Sequence, residues 1–362
     1  MIDKSKLHIK LIIILMIILN FIGCESKYNI VGGGPGSTDG TPFIVQGNSL
    51  AEKLAWINSN ARINGNYILD IFSNESITPH TLSYSTRNNI TITLRSTSTS
   101  RIICLSENGS LFTIGSGVTL VLNENIVLDG RTNNIASLIK VNRRGTLVLN
   151  NGATIRNNIN TAEVSGGGGG VCIETGGTFI MNGGSIQGNS IGIGRNGWGG
   201  GVYVTGTFIM YEGIISNNTT SYFGGGVYVQ DDGIFTLNGG TISNNSSNFI
   251  GGGVGLFSGS FHMVNGIITS NSALSQGAGV YVQEAYFSKV GGIIYGYTED
   301  NTNSNIVRDD SGTILFDRGH AIRARQYSGS IIRNKNMTAD HLINLTWDGT
   351  TDPPSWSGAW DN

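Results

Sequence analysis

Ile215-Ser216-Asn217-Asn218, then Gly224-Gly225-Gly226-Val227-Tyr228-Val229, then Phe235-Thr236-Leu237: this stretch decides the fold, because each of its pieces recurs. The glycine cluster before valine appears as Gly166–Gly170 into Val171, Gly199–Gly201 into Val202, Gly224–Gly226 into Val227, Gly251–Gly253 into Val254, and Gly277-Ala278-Gly279 into Val280. The intervals between these valines are 31, 25, 27 and 26 residues. Ile-x-x-Asn keeps the same beat, at Ile155/Asn158, Ile186/Asn189, Ile215/Asn218, Ile242/Asn245 and Ile268/Asn271, and a phenylalanine follows at Phe179, Phe208, Phe235, Phe261 and Phe287. Three marks in one phase define a repeat. A unit of this size cannot bury its own apolar face, so the copies must stack.

Aligned copies show which way each column points. Phe179, Phe208, Phe235, Phe261 and Phe287 stand two positions before Met181, Met210, Leu237, Met263 and Lys289, with mixed polar and apolar residues between them. That is strand alternation, with the first and third columns facing inward. The glycine-led segments alternate likewise: Val202 and Val204 face in, and Tyr203 faces out. Period two also marks the earlier chain at Tyr67/Leu69/Ile71, Ile90/Ile92/Leu94 and Val118/Leu120/Leu122. The pattern predicts an all-β chain, a right-handed parallel β-helix (a solenoid) over residues 67–345 with about three short strands per coil, regular over about 155–296. The handedness follows the general preference of parallel crossovers. A leucine-rich solenoid is disfavoured, since no Leu-x-x-Leu-x-Leu beat is present. At corners, Asn158, Asn189, Asn218, Asn245 and Asn271 are expected to form a structural ladder, each amide bonding those above and below, at a residue type that tolerates left-handed backbone.

Residues 49–66 precede the strands. Ser49-Leu50-Ala51-Glu52 reads as a capping box, and Leu50, Leu54, Ile57 and Ala61 form one stripe. A short amphipathic helix over Ser49 to Ala61 would cover the open end of the stack. Further upstream, Lys4, Lys6 and Lys10 precede an apolar run from Leu11 to Ile22, the layout of a secretory signal over residues 1–23. Residues 24–48, rich in Gly and Pro, suit a flexible tether. At the other end, residues 346–362, with Trp347, Trp356 and Trp360, read as a terminal cap.

Phe21-Ile22-Gly23-Cys24 resembles a bacterial lipobox, with Phe21 where Leu is usual, and the resemblance implies lipid attachment at Cys24. The paired Gly-Gly-Gly-Val and Ile-x-x-Asn beats resemble the repeats of polymorphic outer-membrane proteins, with Ile in place of that family's Phe at Ile186, Ile215, Ile242 and Ile268. The whole layout is similar to β-helix lipoproteins of spirochaetes, treponemes in particular. The resemblance implies a pectin-lyase-like β-helix, display at the cell envelope or outer-membrane surface, and adhesion. Nothing after Tyr297 reads as the series of membrane strands that autotransporter members carry.

Bulk composition narrows the chemistry. Charged residues are 13% of the chain and the net charge is −2, with no basic cluster, so nucleic acid is not an expected partner. Cys104 and Cys172 are expected to be free thiols. No spacing points to zinc, to a calcium-binding repeat or to a cofactor. The glycines serve corners, because no helix and no Lys follow them as in a phosphate loop. Glycoside cleavage needs two carboxylates across one groove. Within the repeats Glu174 and Glu284, placed in one column with Thr205, Gln230 and Phe257, stand several coils apart, and Asp231-Asp232 sit in a turn. The charged tail around Arg308, Asp309, Asp310, Asp317, Arg318, His320, Arg323, Arg325 and His341 is where an alternative polysaccharide lyase or hydrolase would have its groups. Tyr203, Tyr228 and Tyr281 fall in one outward column and form the candidate binding face. The sequence therefore leads to a non-enzymatic envelope protein, lipid-anchored to a membrane, that binds a glycan or an extracellular protein or serves as a structural coat.

Overall fold

The computed structural model describes residues 43–85, 88–162, 167–192, 197–297, 302–315 and 318–325, with the backbone of three further strands, Ser330–Asn334, Leu342–Thr346 and Ser355–Trp356. The signal segment, Cys24, most of the tether and residues 357–362 lie outside the described residues, as do Asp317, His341, Trp347, Trp360 and the side chains of Arg325 and Trp356.

Alternation becomes a β-solenoid of parallel sheets because identical columns lie at identical height. Thr178–Met181 pairs in register with Thr207–Met210, so Phe179 opposes Phe208 and Met181 opposes Met210. This face, which we call the Phe face, is an eleven-stranded sheet; a nine-stranded Ile face and a ten-stranded Val face run beside it. The inward columns are sealed: Phe179, Phe208, Phe235, Phe261 and Phe287 are all fully buried. The first four rings stack with centroids 4.7, 4.8 and 4.7 Å apart, and Phe287 lies tilted 5.2 Å from Phe261, so the aromatic column follows the strand spacing.

Regular coils carry four strands rather than the expected three. The fourth sheet has six two-residue strands, among them Ser190–Ile191, Thr219–Thr220 and Ser246–Ser247. Two residues carry no readable period, and their order of polar and apolar residues changes from coil to coil. The parallel stack also ends before residue 345. Leu342–Thr346 pairs antiparallel with Ser330–Asn334, and Ser355–Trp356 pairs antiparallel with Ile322–Arg325.

Between the Ile face and the fourth sheet the chain turns on the asparagine ladder. Asn189 Nδ2 donates to Asn218 Oδ1 at 3.1 Å, Asn218 to Asn245 at 3.0 Å, and Asn245 to Asn271 at 3.0 Å. Asn158 joins through its backbone N–H, which donates to Asn189 Oδ1 at 3.2 Å. Two further rungs extend the ladder, Asn134 below and Asn305 above. The left-handed residue is the one before each rung: Asn157, Gly188, Asn217, Asn244 and Ser270, all near φ +60°. The ladder residues themselves are not left-handed, because their amides must point along the stack. The third glycine of each cluster packs on the rung of the next coil. A Cβ on Gly201 would stand 3.0 Å from Asn218 Nδ2, and one on Gly226 would stand 3.0 Å from Asn245 Nδ2.

The first coil is closed by α1, Leu50–Asn60, the only helix among the described residues. Ser49 Oγ accepts the Glu52 N–H at 3.2 Å and Glu52 Oε2 accepts the Ser49 N–H at 3.4 Å, the capping box read from sequence. Leu50, Leu54 and Ile57 are buried against the first coil. Lys53 is buried too, and its Nζ donates to the Asp70 carbonyl at 2.6 Å.

Asn218 is bonded on both sides of the stack: its Oδ1 also accepts the Asn189 N–H, and its Nδ2 also donates to the Ile186 carbonyl. Asn218→Ala strands those buried groups and is expected to cost about 2–4 kcal/mol, against less than about 0.5 kcal/mol for Thr219→Ala on the solvent side. Urea unfolding followed by circular dichroism checks both, and equal losses would show that the ladder adds nothing special.

Candidate functional site

The outward column of the Val face carries the residues with most chemistry. Strand register aligns Lys140, Cys172, Tyr203, Tyr228, Gly255, Tyr281 and Arg323 on successive coils. The three tyrosines do point away from the coil interior, as expected. They are not exposed: Tyr203, Tyr228 and Tyr281 retain 8%, 3% and 4% of their surface. An exposed tyrosine platform therefore does not exist on this face.

The cover comes from the residue just before each glycine cluster. Trp198, Phe223, Ile250 and Gln276 pair one above the other as isolated bridges. Trp198 and Phe223 fold over the column, with Trp198 stacked 6.3 Å from Tyr203 and Phe223 stacked 5.5 Å from Tyr228. Cys172, Tyr203 and Tyr228 thus form a second small core outside the coil, closed by Trp198, Phe223 and Phe257. Direction can be read from alternation, but burial depends on what the preceding turn lays on top. The signal was present in sequence as an aromatic directly before the glycines at Trp198 and Phe223.

What remains on the surface is a ridge. Tyr222 stacks on Phe249 at 4.8 Å with an 8° angle between rings, and Phe223 contacts both Tyr222 and Phe249. Trp198, Tyr222, Phe223 and Phe249 are all partly exposed, so one edge of a continuous aromatic cluster meets solvent. The buried hydroxyls have partners: Tyr203 Oη donates to Gln230 Oε1 at 3.4 Å and Tyr281 Oη to Gln283 Oε1 at 3.1 Å. Burial pushes the Tyr203 and Tyr228 phenols well above the ordinary tyrosine range. Burial, then the Glu174 charge, pushes the Cys172 thiol up to about 12. Neither phenol is suited to give or take a proton near neutral pH.

Carboxylates do not converge on this column. Gln283, not Glu284, lies in the column of Glu174, Thr205, Gln230 and Phe257. Glu284 falls one place later, at a left-handed turn with Asp231 and Ser258, where φ is 49°, 55° and 58°. Glu174 pairs with Lys140 at 2.9 Å, and that hydrogen bond holds the Lys140 ammonium above its usual range. Asp232 is exposed in its turn. Among the described residues, no three His, Cys, Asp or Glu side chains come together as a metal site. No described helix is long and apolar enough to cross a membrane.

The charged tail is mostly structural where it is described. Asp309 Oδ1 accepts from the Ser311 and Thr313 N–H groups at 2.9 Å, closing an exposed turn, and these bonds with the Ser311 hydroxyl hold the carboxyl below its usual range. Gly319-His320-Ala321 runs into Ile322 and proves to be a further copy of the glycine corner, pairing with Gly277-Ala278-Gly279. His320 is fully buried, and its Nδ1 accepts the Val307 N–H at 3.0 Å. Burial, helped by Arg308, lowers its pKa to about 4. A buried imidazole that accepts from backbone is a brace.

No family model, curated protein or solved structure matches the chain.

Two outcomes follow from these environments. With its pKa near 12, the Cys172 thiol is about 0.01% thiolate at pH 8, so iodoacetamide should leave it unmodified in the folded chain and label it fully in 6 M guanidinium. Labelling at equal rates in both states would refute its burial. His320 is neutral in the fold at a pH where the unfolded imidazole binds a proton. Its contribution is complete above about pH 6.5 and is lost as pH falls towards 4, in company with His80 and His262, whose burial shifts them the same way. Unfolding midpoints at pH 7 and 4.5 should differ, and His320→Asn should narrow that difference.

Proposed function

We propose that this protein is a lipid-anchored β-solenoid of the cell envelope, of pectin-lyase-like type, that binds rather than cleaves and takes glycan on the partly exposed aromatic ridge. The observation that supports this most is the ridge itself. Trp198, Tyr222, Phe223 and Phe249 present partly exposed rings on successive turns of a rigid solenoid, with Tyr222 stacked on Phe249 at 4.8 Å. The flat apolar faces of pyranose rings stack on such surfaces, and a fixed array of rings loses little side-chain entropy on binding. Asn248, exposed at the flanking turn, offers an amide to sugar hydroxyls. Anchoring at Cys24 and display at the outer surface rest on the lipobox-like segment. The repeat beats, which resemble those of polymorphic outer-membrane proteins, support the same placement.

A glycan and extracellular-matrix array with the chain lacking residues 1–23, run beside a reducing-end release assay on polysaccharides, tests the reading. Binding without release is expected. Trp198→Ala and Phe223→Ala should each weaken binding about tenfold, as the loss of a stacking ring does, while Tyr203→Phe, beneath the surface, should leave it unchanged. Release of sugar ends would replace the adhesin with an enzyme.

A further inference from the structure

The three most exposed large apolar side chains among the described residues are Ile44, Phe72 and Ile63, at 70%, 69% and 63%. All three flank the first helix and the first strand and fall on one edge. Phe43 pairs parallel with Tyr67, and its N–H donates to the Asn66 carbonyl at 3.0 Å, so Phe43–Val45 form a partial coil beneath the first strand of the Phe face. Phe43 and Val45 pack on the core, which turns Ile44 outward below Ile68. Ile63 stands just before that first strand, Asn66–Asp70, and Phe72 stands just after it. The three side chains therefore line the N-terminal lip of the Phe face over roughly 25 Å.

The lip has the chemistry of an interfacial element. The Arg62 guanidinium, on an exposed residue, sits 5.6 Å from the Phe43 ring centre, and Lys53 Nζ sits 5.1 Å from that of Phe72. The carboxylates of the same end are already bonded within the protein. Glu52 accepts from the Asn48 and Ser49 N–H groups, Asp70 pairs with Arg95, and Glu75 accepts the Leu50 N–H. Exposed apolar side chains beside the exposed Arg62, whose guanidinium can meet lipid phosphate, match the surface of a bilayer.

We propose that this lip rests on a phospholipid surface, so that the solenoid is held against the membrane by its N-terminal edge in addition to its lipid. The proposal builds on the anchoring at Cys24. Eighteen residues lie between Cys24 and Phe43, and a flexible Gly/Pro-rich tether of that length would span about 25 Å, which keeps the lip within reach of the bilayer. The second exposed apolar run, Tyr211, Ile214, Val264 and Ile267, lies on later coils and is interrupted by Asn238 and Thr241, so it serves as an internal control.

Hydroxyl-radical footprinting of the lipidated chain on vesicles of phosphatidylcholine and phosphatidylglycerol, against the Cys24→Ser chain lacking residues 1–23 free in buffer, tests the contact. Oxidation of Ile44, Ile63 and Phe72 is expected to fall at least about fivefold on vesicles, with Tyr211 and Ile267 unchanged. Protection of the Tyr211 run instead, or no protection anywhere, overturns the proposal. Intact mass of the native protein decides the anchor separately. If Cys24 carries no lipid the anchor reading fails, and the same footprint is taken on a chain tethered at position 24 by a histidine tag to nickel-chelating lipid. Protection there sustains the lip, and its absence overturns it. Ile63→Ser with Phe72→Ser should abolish the protection at Ile44 while leaving the thermal midpoint within a few degrees, which separates lost contact from lost fold.

Discussion

Everything in this solenoid hangs on the corner where a buried backbone N–H has no strand partner. At Asn189, Asn218, Asn245 and Asn271 that N–H is taken by the amide oxygen of the next rung, while the amide nitrogens reach both the next rung and a carbonyl one coil back. An unpaired group there would cost more than an ordinary hydrogen bond supplies, so the asparagine cannot drift along the sequence. The glycine clusters are the other side of the same contact. Gly201 and Gly226 lie against the amide that makes the bond, and a methyl group would push into it. The two motifs keep one beat because they share one atom-scale space.

That constraint explains which parts of the fold could be read. Columns of identical residues, Phe179 to Phe287 above all, declare their direction and their stacking at once. The capping box at Ser49 is a local contact, and it was legible for that reason. Asn134 and Asn305 escaped because their surroundings differ. Asn134 has no Ile-x-x before it, and Asn305 is separated from Ile294 by an insertion. Left-handed backbone, which asparagine tolerates, belongs to the residue before each rung, since one residue cannot both turn the chain and aim along the stack.

The site was harder to read than the fold, for a physical reason. Alternation says that Tyr203 and Tyr228 face outward; it does not say that Trp198 and Phe223 lie over them. Glu284 illustrates a similar limit, since a count of one residue separates a strand position from a turn position, and only the register of Phe257 with Gln283 fixes it. Surface chemistry in this chain depends on turns, whose lengths vary from coil to coil, while the interior depends on strands, whose register is kept from coil to coil.

Because each coil touches only its neighbours and every regular coil turns on the same asparagine and glycine, the unit of inheritance is the coil. Recombination between two repeats of the coding sequence would add or remove one rung in phase, joining Gly224 to Gly252 as smoothly as to Gly225, with the amide ladder and the phenylalanine column closing again. The length of the solenoid, and with it how far the aromatic ridge stands from the N-terminal lip, is thus a quantity that can vary in steps of one coil without a new fold being invented.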